Sequence, residues 1–534
     1  MASFQAGLRR ALAQAPRSAF SCRQCLHKTQ QIAPPASLIS RSRNAFSTTS
    51  RVSSSQPGSA ATVQRLAMPY RSVYRTPASL LTFSQSIKRA GSSNTVASRS
   101  LSTTPAKETA VVAPEAASES SSSSSEVSSF PDTSSKSVAI WLIASAVSVF
   151  GIVVWGGLTR LTESGLSITE WKPVTGALPP RNEEDWEAEF AKYRASPEYA
   201  RLNPNMTLEE FKKIYFMEWS HRLWGRVIGM SFVLPAIYFV ARRRVTKRVA
   251  WNLLGIAGLI GFQGVIGWWM VASGLRDELF SPGAQPPRVS QYRLTAHLAT
   301  AFVCYSWMLM TGLSILRDLR VRADPAAAAK LANTLALPAL RPFRLAVTAL
   351  TVLVFTTVLS GALVAGLDAG LIYNEFPMMG NGLTPPHAEL WDAHYSRKPD
   401  HSDLWWRNML ENPSLVQLDH RILATTTFCA IMALFAFSRT GRIASMLPKS
   451  AKRGTTGVVH LVLMQATLGI CTLIYMVPTH LAATHQAGSL ALLTGVLVLG
   501  HRLRMPKSTL RLVQKYATKG SPQPNIGSRV TPKQ

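Results

Sequence analysis

Four of the eleven histidines in the sequence recur in pairs at matching positions. His221 lies in Glu-Trp-Ser-His-Arg and His420 in Gln-Leu-Asp-His-Arg, and His297 and His485 follow in Thr-Ala-His-Leu-Ala and Ala-Thr-His-Gln-Ala. Facing imidazoles inside a helical bundle are a common way to hold haem iron through axial nitrogen ligands. A single histidine at a helix end is usually an interfacial polar residue, but four in repeated pairs favour a metal or haem site. A bare zinc site is less attractive, because neither pair has obvious third and fourth ligands.

The residue three places before the first histidine differs between the two copies. It is Glu218 in the first copy and Gln417 in the second. Residues three apart on a helix share a face, so Glu218 and His221 are predicted to project to the same side. A carboxylate can take or give a proton and an amide cannot. This difference favours chemistry in the first copy; the alternative is that Glu218 only occupies the positively polarised start of its helix.

An arginine immediately follows the first histidine of each copy. Arg222 and Arg421 are candidates to neutralise the propionates of a bound haem. The alternative is that both anchor their helices at the membrane interface.

Eight apolar segments are available to position these side chains. An uncharged stretch of about 20 residues is long enough to cross a bilayer as a helix. Six segments meet that condition, and two are shorter or contain charge. The eight are Val138–Leu158, Leu223–Ala241, Val249–Leu275, Leu294–Leu316, Leu345–Leu367, Ile422–Ser438, Gly454–Met476 and Leu481–Gly500.

The second four segments repeat the order of motifs seen in the first four. Gly-Leu-Ser-Ile-Thr-Glu-Trp-Lys-Pro at 165–173 corresponds to Gly-Leu-Ile-Tyr-Asn-Glu-Phe-Pro at 370–377, and the histidine motifs follow in the same order. Such repeats are typical of membrane proteins built from two related halves. We therefore predict an all-α integral membrane protein with eight transmembrane helices in two pseudo-symmetric four-helix bundles. The bundles would comprise residues 137–317 and 344–502, joined by a linker at 318–343.

The N-terminal region has the composition of a targeting sequence. Residues 1–107 contain 15 Lys and Arg residues and no Asp or Glu. Together with the abundant serine and alanine, this is typical of a mitochondrial transit peptide, and a disordered basic tail is the alternative. Residues 108–136, with six consecutive serines at 120–125, are predicted to be a disordered linker.

Charge in the connecting segments predicts the orientation in the membrane. Segment 241–248 has five basic residues and no acidic residue. The basic tail at 503–534, counted together with Arg502, has eight basic residues and no acidic residue. The two long loops on the other side are acidic, with eleven acids to eight bases in 159–220 and eight to three in 366–419. The positive-inside rule then places the termini in the matrix and the long loops in the intermembrane space, for a protein of the mitochondrial inner membrane.

The charge pattern and the cysteine content argue against a nucleic-acid-binding protein and a disulfide-stabilised protein. The formal net charge is +29, but the basic residues are not gathered into a face with interleaved aromatic residues, so no nucleic-acid partner is expected. Five cysteines in 534 residues do not form a disulfide framework.

Residues 156–173, Gly-Gly-Leu-Thr-Arg-Leu-Thr-Glu-Ser-Gly-Leu-Ser-Ile-Thr-Glu-Trp-Lys-Pro, carry a family resemblance. Together with Glu-Trp-Ser-His-Arg at 218–222 and Asp-His-Arg at 419–421, this run resembles haem A synthase of the mitochondrial type, over about residues 137–501. The resemblance implies oxidation of the C8 methyl group of haem O to a formyl group, which gives haem A for cytochrome c oxidase. It further implies two hydroxylations of that methyl group followed by loss of water.

The resemblance also implies roles for the candidate residues. His221 and His297, with Arg222, would bind the substrate haem O, and His420 and His485, with Arg421, would bind a haem B cofactor. Glu218 matches the catalytic glutamate of the family. Residues 159–220 contain no cysteine, so the loop cysteine pair of some bacterial members does not carry over.

The implied partners are a matrix ferredoxin as electron donor, haem O synthase and cytochrome c oxidase assembly factors. Inner-membrane lipid and further copies of the same chain in a homo-oligomer are also expected.

Two other functions remain open from the sequence. One is a diheme b-type cytochrome that exchanges electrons with quinol and modifies nothing, and the other is a transporter or assembly scaffold with structural histidines. The difference between Glu218 and Gln417 favours the enzyme, because an electron carrier needs no unpaired carboxylate at one haem.

Overall fold

A computed structural model describes residues 130–519, except for Val174 and residues 282–285. The predicted transit peptide at 1–107 and most of the predicted linker at 108–136 lie outside the described residues. Within the described ranges the chain is helical, and its one extended feature is an isolated bridge between Met379 and Gly382. The predicted all-α class is confirmed.

The helices are numbered in chain order. The α-helices are α1 Lys136–Leu161, α2 Glu183–Arg194, α3 Pro197–Leu202, α4 Leu208–Ala241, α5 Lys247–Val271, α6 Gln291–Ala323, α7 Pro325–Ala336, α8 Arg341–Gly366, α9 His387–Leu390, α10 Leu404–Glu411, α11 Pro413–Phe437, α12 Gly441–Met446, α13 Lys449–Ile474, α14 Thr479–Leu503 and α15 Lys507–Lys519. Short 3₁₀ turns lie at Thr175–Ala177, Asp277–Phe280, Pro338–Leu340, Ala369–Leu371 and Ala393–Tyr395.

Eight of these helices are long and apolar enough to cross a membrane. They are α1, α4, α5, α6, α8, α11, α13 and α14, and they confirm the eight predicted segments. Large apolar side chains are exposed along them, for example Val147, Trp251, Leu345 and Ile422. Such side chains suit contact with lipid, because hydrocarbon is as apolar as they are.

Helix α4 begins at Leu208, well before the predicted apolar segment that starts at Leu223. A capping box starts it: the hydroxyl of Thr207 accepts from the backbone N–H of Glu210, and the carboxylate of Glu210 accepts from the N–H of Thr207. Glu218 therefore lies about three turns inside the helix. The field of a helix terminus fades within its first turn, so the explanation of Glu218 as a helix-start residue loses its basis.

The membrane helices pack in the same order in both halves. In the first half, α1 and α5 each contact α4 and α6; in the second half, α8 and α13 each contact α11 and α14. The halves also contact each other: the hydroxyl of Tyr305 lies 2.7 Å from that of Thr494, and Gln486 donates to the carbonyl of Val153 at 2.9 Å. One hydrophobic core runs through both halves. Their division into two separate bundles stays an interpretation.

The segments between the membrane helices are themselves partly helical. In the first long loop, α2 packs on the N-terminal end of α4 through the aromatic side chains of Phe190, Tyr193, Phe211 and Tyr215. Within the predicted linker at 318–343, α6 continues to Ala323 and α7 follows. Helix α15, in the predicted basic tail, packs against α6 and α7.

Candidate functional site

Each half brings its two candidate histidines together. His221 and His297 lie close enough for their charged forms to repel each other, and so do His420 and His485. All four side chains are partly buried. The helices that carry them lie opposite each other: α4 and α6 both pack on α1 and α5, and α11 and α14 both pack on α8 and α13. The imidazoles therefore face the space between opposed helices.

Each imidazole rests on a glycine of the preceding membrane helix. A β-carbon at any of these glycines would come against the Cε1 atom of the ring. The pairs are Gly156 with His221, Gly267 with His297, Gly361 with His420 and Gly469 with His485, at 2.8, 3.4, 3.0 and 2.9 Å. At the three shorter distances a side chain would push the ring aside, so these glycines set the position of the imidazoles.

A serine fixes the protonation of His420. The Ser360 hydroxyl lies 2.8 Å from Nδ1 of His420 and donates its own proton to the carbonyl of Thr357 at 2.7 Å. Because a hydroxyl has one proton, Ser360 accepts from an N–H at Nδ1. Nε2 then carries a free lone pair, which is the form of imidazole that binds iron.

In the first half, Trp155 occupies the position that Ser360 has in the second half. An indole N–H cannot accept a hydrogen bond. Nδ1 of His221 is buried without a hydrogen-bond partner in the described structure. The two halves therefore hold their first histidine differently.

A glutamine supports the second histidine in each half. The side-chain amide of Gln263 lies 3.0 Å from Nδ1 of His297, and that of Gln465 lies 3.1 Å from Nδ1 of His485. Gln465 also donates to the backbone carbonyl of His485 at 2.8 Å. Each glutamine precedes the glycine under the ring by four residues, so one Gln-x-x-x-Gly pattern serves both halves.

Replacing Gly469 with alanine is expected to displace the imidazole of His485 and to lower the haem content of the purified protein severalfold. Residues that orient a metal ligand typically contribute about 10- to 100-fold to metal affinity. The matched control is Gly457→Ala on the same helix, where a β-carbon meets nothing within 4 Å. Haem per protein is measured by the pyridine haemochrome method; equal haem content in the two variants would contradict the positioning role.

Glu218 is buried, with 3% of its surface exposed. One carboxylate oxygen accepts from Arg222 at 2.6 and 3.0 Å. The other accepts at 2.8 Å from both the hydroxyl of Ser167 and the backbone N–H of Ile168. All of these partners are hydrogen-bond donors, so both oxygens of the side chain act as acceptors. The carboxyl group is thus held one helical turn from His221.

The second half has an amide at the same place. Gln417 is equally buried and donates to the carbonyl of Tyr373 at 2.9 Å, while its side-chain oxygen has no partner in the described structure. An amide at this position neither takes nor gives protons at physiological pH. The two halves therefore place an acid and an amide at equivalent buried positions.

Arg222 and Arg421 both hold the loop that follows the first helix of their half. Arg222 donates to the carbonyl of Ile168 at 2.8 Å, and Arg421 donates to that of Tyr373 at 3.1 Å. Arg222 is also paired with Glu218. These contacts give each arginine a structural role, and contact with haem propionates stays a prediction.

The arrangement fits a porphyrin better than a bare metal ion. Among the described residues, no group of three or more His, Cys, Asp or Glu side chains comes together as a metal site. A haem iron needs two axial ligands, because the macrocycle supplies four nitrogens. Two imidazoles in each half, each on a glycine, match that need.

The sequence argument missed the glycines, Ser360 and the two glutamines. The signal that could have revealed the glutamines is the repeated Gln-x-x-x-Gly pattern in α5 and α13.

Comparison with known proteins identifies the family of the chain. Residues 139–497 match the COX15-CtaA family, described as cytochrome oxidase assembly proteins. Heme A synthase COX15 of Saccharomyces cerevisiae is 51% identical over 379 residues, which is 71% of this chain and 78% of the yeast protein. Heme A synthase COX15 of Homo sapiens is 45% identical over 368 residues, or 69% of this chain and 83% of the human protein.

A further relative is the heme A synthase-mitochondrial ferredoxin fusion protein of Schizosaccharomyces pombe. It is 50% identical over 406 residues, which is 75% of this chain and 65% of the fusion protein. The family match and the matched relatives extend over most of the chain, and residues 139–497 contain all four histidines. The chain therefore belongs to the COX15-CtaA family of cytochrome oxidase assembly proteins.

Proposed function

We propose that this protein is a haem A synthase that oxidises the C8 methyl group of haem O to a formyl group. Relatives with the name heme A synthase are 42–51% identical over most of the chain, and they support an enzyme with this activity. The observation that carries the proposal is the buried carboxyl group of Glu218 one turn from His221, in a site whose counterpart has Gln417. The enzyme would be an oxidoreductase acting on a CH group.

The chain's residues divide between binding and proton transfer. His221 and His297 would bind haem O, and His420 and His485 would bind haem B, which supplies electron transfer when it is bound. Ser360 keeps Nε2 of His420 free for iron. Glu218 lies in the first half, and Gln417 takes its place in the second. This difference supports substrate binding in the first half, because a group that transfers protons must lie beside the substrate.

Glu218 has a specific task in the proposed reaction. Loss of water from a doubly hydroxylated carbon needs a group that takes a proton from one hydroxyl and returns one to the other. Glu218 is buried and accepts hydrogen bonds through both oxygens, so it is placed to take that proton away from bulk water. Arg222 and Ser167 orient it and stabilise the anion.

The chain is a multi-pass membrane protein of mitochondria, as its homologues and its eight apolar helices indicate. We place it in the inner membrane with both termini in the matrix, because the basic segments lie at that end of the helices. The fused ferredoxin of the fission yeast relative supports a ferredoxin partner. Haem O synthase, assembly factors and a homo-oligomer stay predictions.

Haem analysis of the full-length protein tests the function. The protein is purified from cells that make haem O, and its extracted haems are separated by chromatography and quantified as pyridine haemochromes. Haem B together with haem O or haem A is expected. Haem B alone at both sites would instead support a diheme electron carrier, and absence of haem would support a scaffold.

A further inference from the structure

A basic cavity lies where the C-terminal ends of α6 and α14 meet α7 and the start of α13. Its volume is about 530 Å³, and both charged and apolar side chains line it. Five of the lining residues are arginines: Arg317, Arg320, Arg453, Arg502 and Arg504. The lining holds one acid, Asp324, which accepts a hydrogen bond from the N–H of Ala327 at the start of α7. The cavity therefore carries an excess of positive charge.

The five arginines have no acidic ion-pair partner among the described residues. Three of them donate to neutral oxygens; Arg502, for example, donates to the carbonyl of Ser450 at 3.0 Å. Nε2 of His501, which also lines the cavity, is buried without a hydrogen-bond partner in the described structure. Guanidinium and imidazole N–H groups are donors, and phosphate oxygens are the acceptors that arginine binds at two points. The lining therefore suits a phosphate group.

An apolar groove lies further along the same helices. Its volume is about 440 Å³, and α6, α8 and α14 line it. On α6, Trp307 and Met310 of the groove share a face with Arg317, because residues three or four and seven apart on a helix lie on one side. On α14, Leu497 of the groove is followed four residues later by His501. The groove and the basic cavity therefore lie on the same faces of both helices.

A direct contact joins the two features on the third helix. Arg504, which lines the cavity, donates to the hydroxyl of Thr348 on α8, one turn before Val352 of the groove. Along α6, the rise per residue places Arg317 about 10 Å from Met310 and about 21 Å from Val303 at the far end of the groove. One leaflet of hydrocarbon is about 15 Å thick. The groove thus spans the depth of an acyl chain whose headgroup lies at the arginines.

Arginines at the ends of membrane helices also have general roles. They follow the positive-inside rule, and a cation is favoured at a helix C-terminus. These roles account for Arg320 and Arg502 singly, at the ends of α6 and α14. They do not account for Arg453 near the N-terminal end of α13, or for the convergence of five arginines on one cavity beside a groove.

We propose that the basic cavity and the apolar groove together bind an anionic phospholipid. Its phosphate accepts hydrogen bonds from the arginines, and one acyl chain lies in the groove. Basic pockets between membrane helices are known to bind such headgroups. The lipid bridges the two halves, since α6 belongs to the first half and α8 and α14 belong to the second. The site is separate from the proposed haem sites, because His297 lies about 30 Å from Arg317 along α6.

Lipid binding to the purified full-length protein in detergent tests the headgroup end. The probes are phosphatidylglycerol and phosphatidylcholine with identical acyl chains, and bound lipid is counted by native mass spectrometry. Phosphatidylglycerol should bind more tightly, and its advantage should shrink as the salt concentration rises. The double variant Arg320→Gln/Arg453→Gln should bind phosphatidylglycerol about 25-fold more weakly, since each basic side chain near a membrane surface contributes roughly fivefold.

The matched control is the double variant Arg322→Gln/Arg442→Gln. It removes two exposed basic residues that lie outside the lining of the cavity. We expect it to bind phosphatidylglycerol as the wild type does. An equal loss in both double variants would mean that the lipid responds only to overall charge, and no loss in either would show that it does not occupy the cavity. Each of these two results would overturn the proposal.

Val352→Trp tests the groove. Val352 is exposed, so the larger side chain fills the groove without entering the core, and Val147→Trp on α1 is the control at an exposed position outside it. Only Val352→Trp should weaken the binding of phosphatidylglycerol, by severalfold. Inorganic phosphate distinguishes a lipid from a free anion. If millimolar phosphate displaced the lipid and Val352→Trp had no effect, the cavity would be a site for free anions and the lipid proposal would be wrong.

Discussion

Replacing Glu218 with alanine should leave haem bound to the protein and stop the formation of haem A. The four histidines stay in place, because none of them forms a hydrogen bond with Glu218. Positioned proton-transfer groups typically contribute about 10²- to 10⁴-fold to a rate, so a loss of at least about 100-fold is expected. Chromatography of extracted haems from cells that express the variant measures the ratio of haem A to haem O.

Alanine also leaves Arg222, Ser167 and the N–H of Ile168 without their acceptor, so a second variant is needed. Glu218→Gln keeps the shape of the side chain and reproduces the chemistry of Gln417 in the other half. We expect it to be as inactive as the alanine variant. Normal haem A output from Glu218→Gln would remove the proton-transfer role, and loss in the alanine variant alone would mean that Glu218 only anchors the loop.

Replacing His420 with alanine should remove the cofactor haem. His420 and His485 are paired in the second half, and an axial ligand cannot be replaced by a methyl group. The haem B content of the purified protein should fall at least tenfold, because even residues that merely orient a ligand contribute about 10- to 100-fold. Pyridine haemochrome analysis and electron paramagnetic resonance of the oxidised protein measure the loss.

His460→Ala is the control for this variant. His460 lies on α13 in the same half, but its ring is exposed and Nδ1 lies 2.9 Å from the carbonyl of Thr456. This substitution should leave the haem content unchanged. If His420→Ala retained as much haem B as His460→Ala, the assignment of His420 as a ligand would be wrong.

The eight membrane helices and the four histidines were predictable because both leave a local mark in the sequence. A membrane helix must be a long apolar run, and a duplicated half repeats its motifs in order. The start of α4 at Leu208 was missed, because Thr207 and Glu210 lie in a polar segment that hydropathy does not recognise as helix. The capping box was the available signal.

By itself, the sequence determined eight membrane helices, two related halves with paired histidines and a carboxylate in the first half, and it favoured a haem enzyme over the two alternatives. It could not show that Gly361 lies under His420, that Ser360 sets the tautomer of that ring, or that Arg222 and Ser167 hold the carboxylate of Glu218. Each of these facts depends on contacts between segments far apart in the chain, and contacts of that kind arise only when the helices pack. Burial in particular belongs to the assembled fold, and it leaves only 3% of the surface of Glu218 exposed.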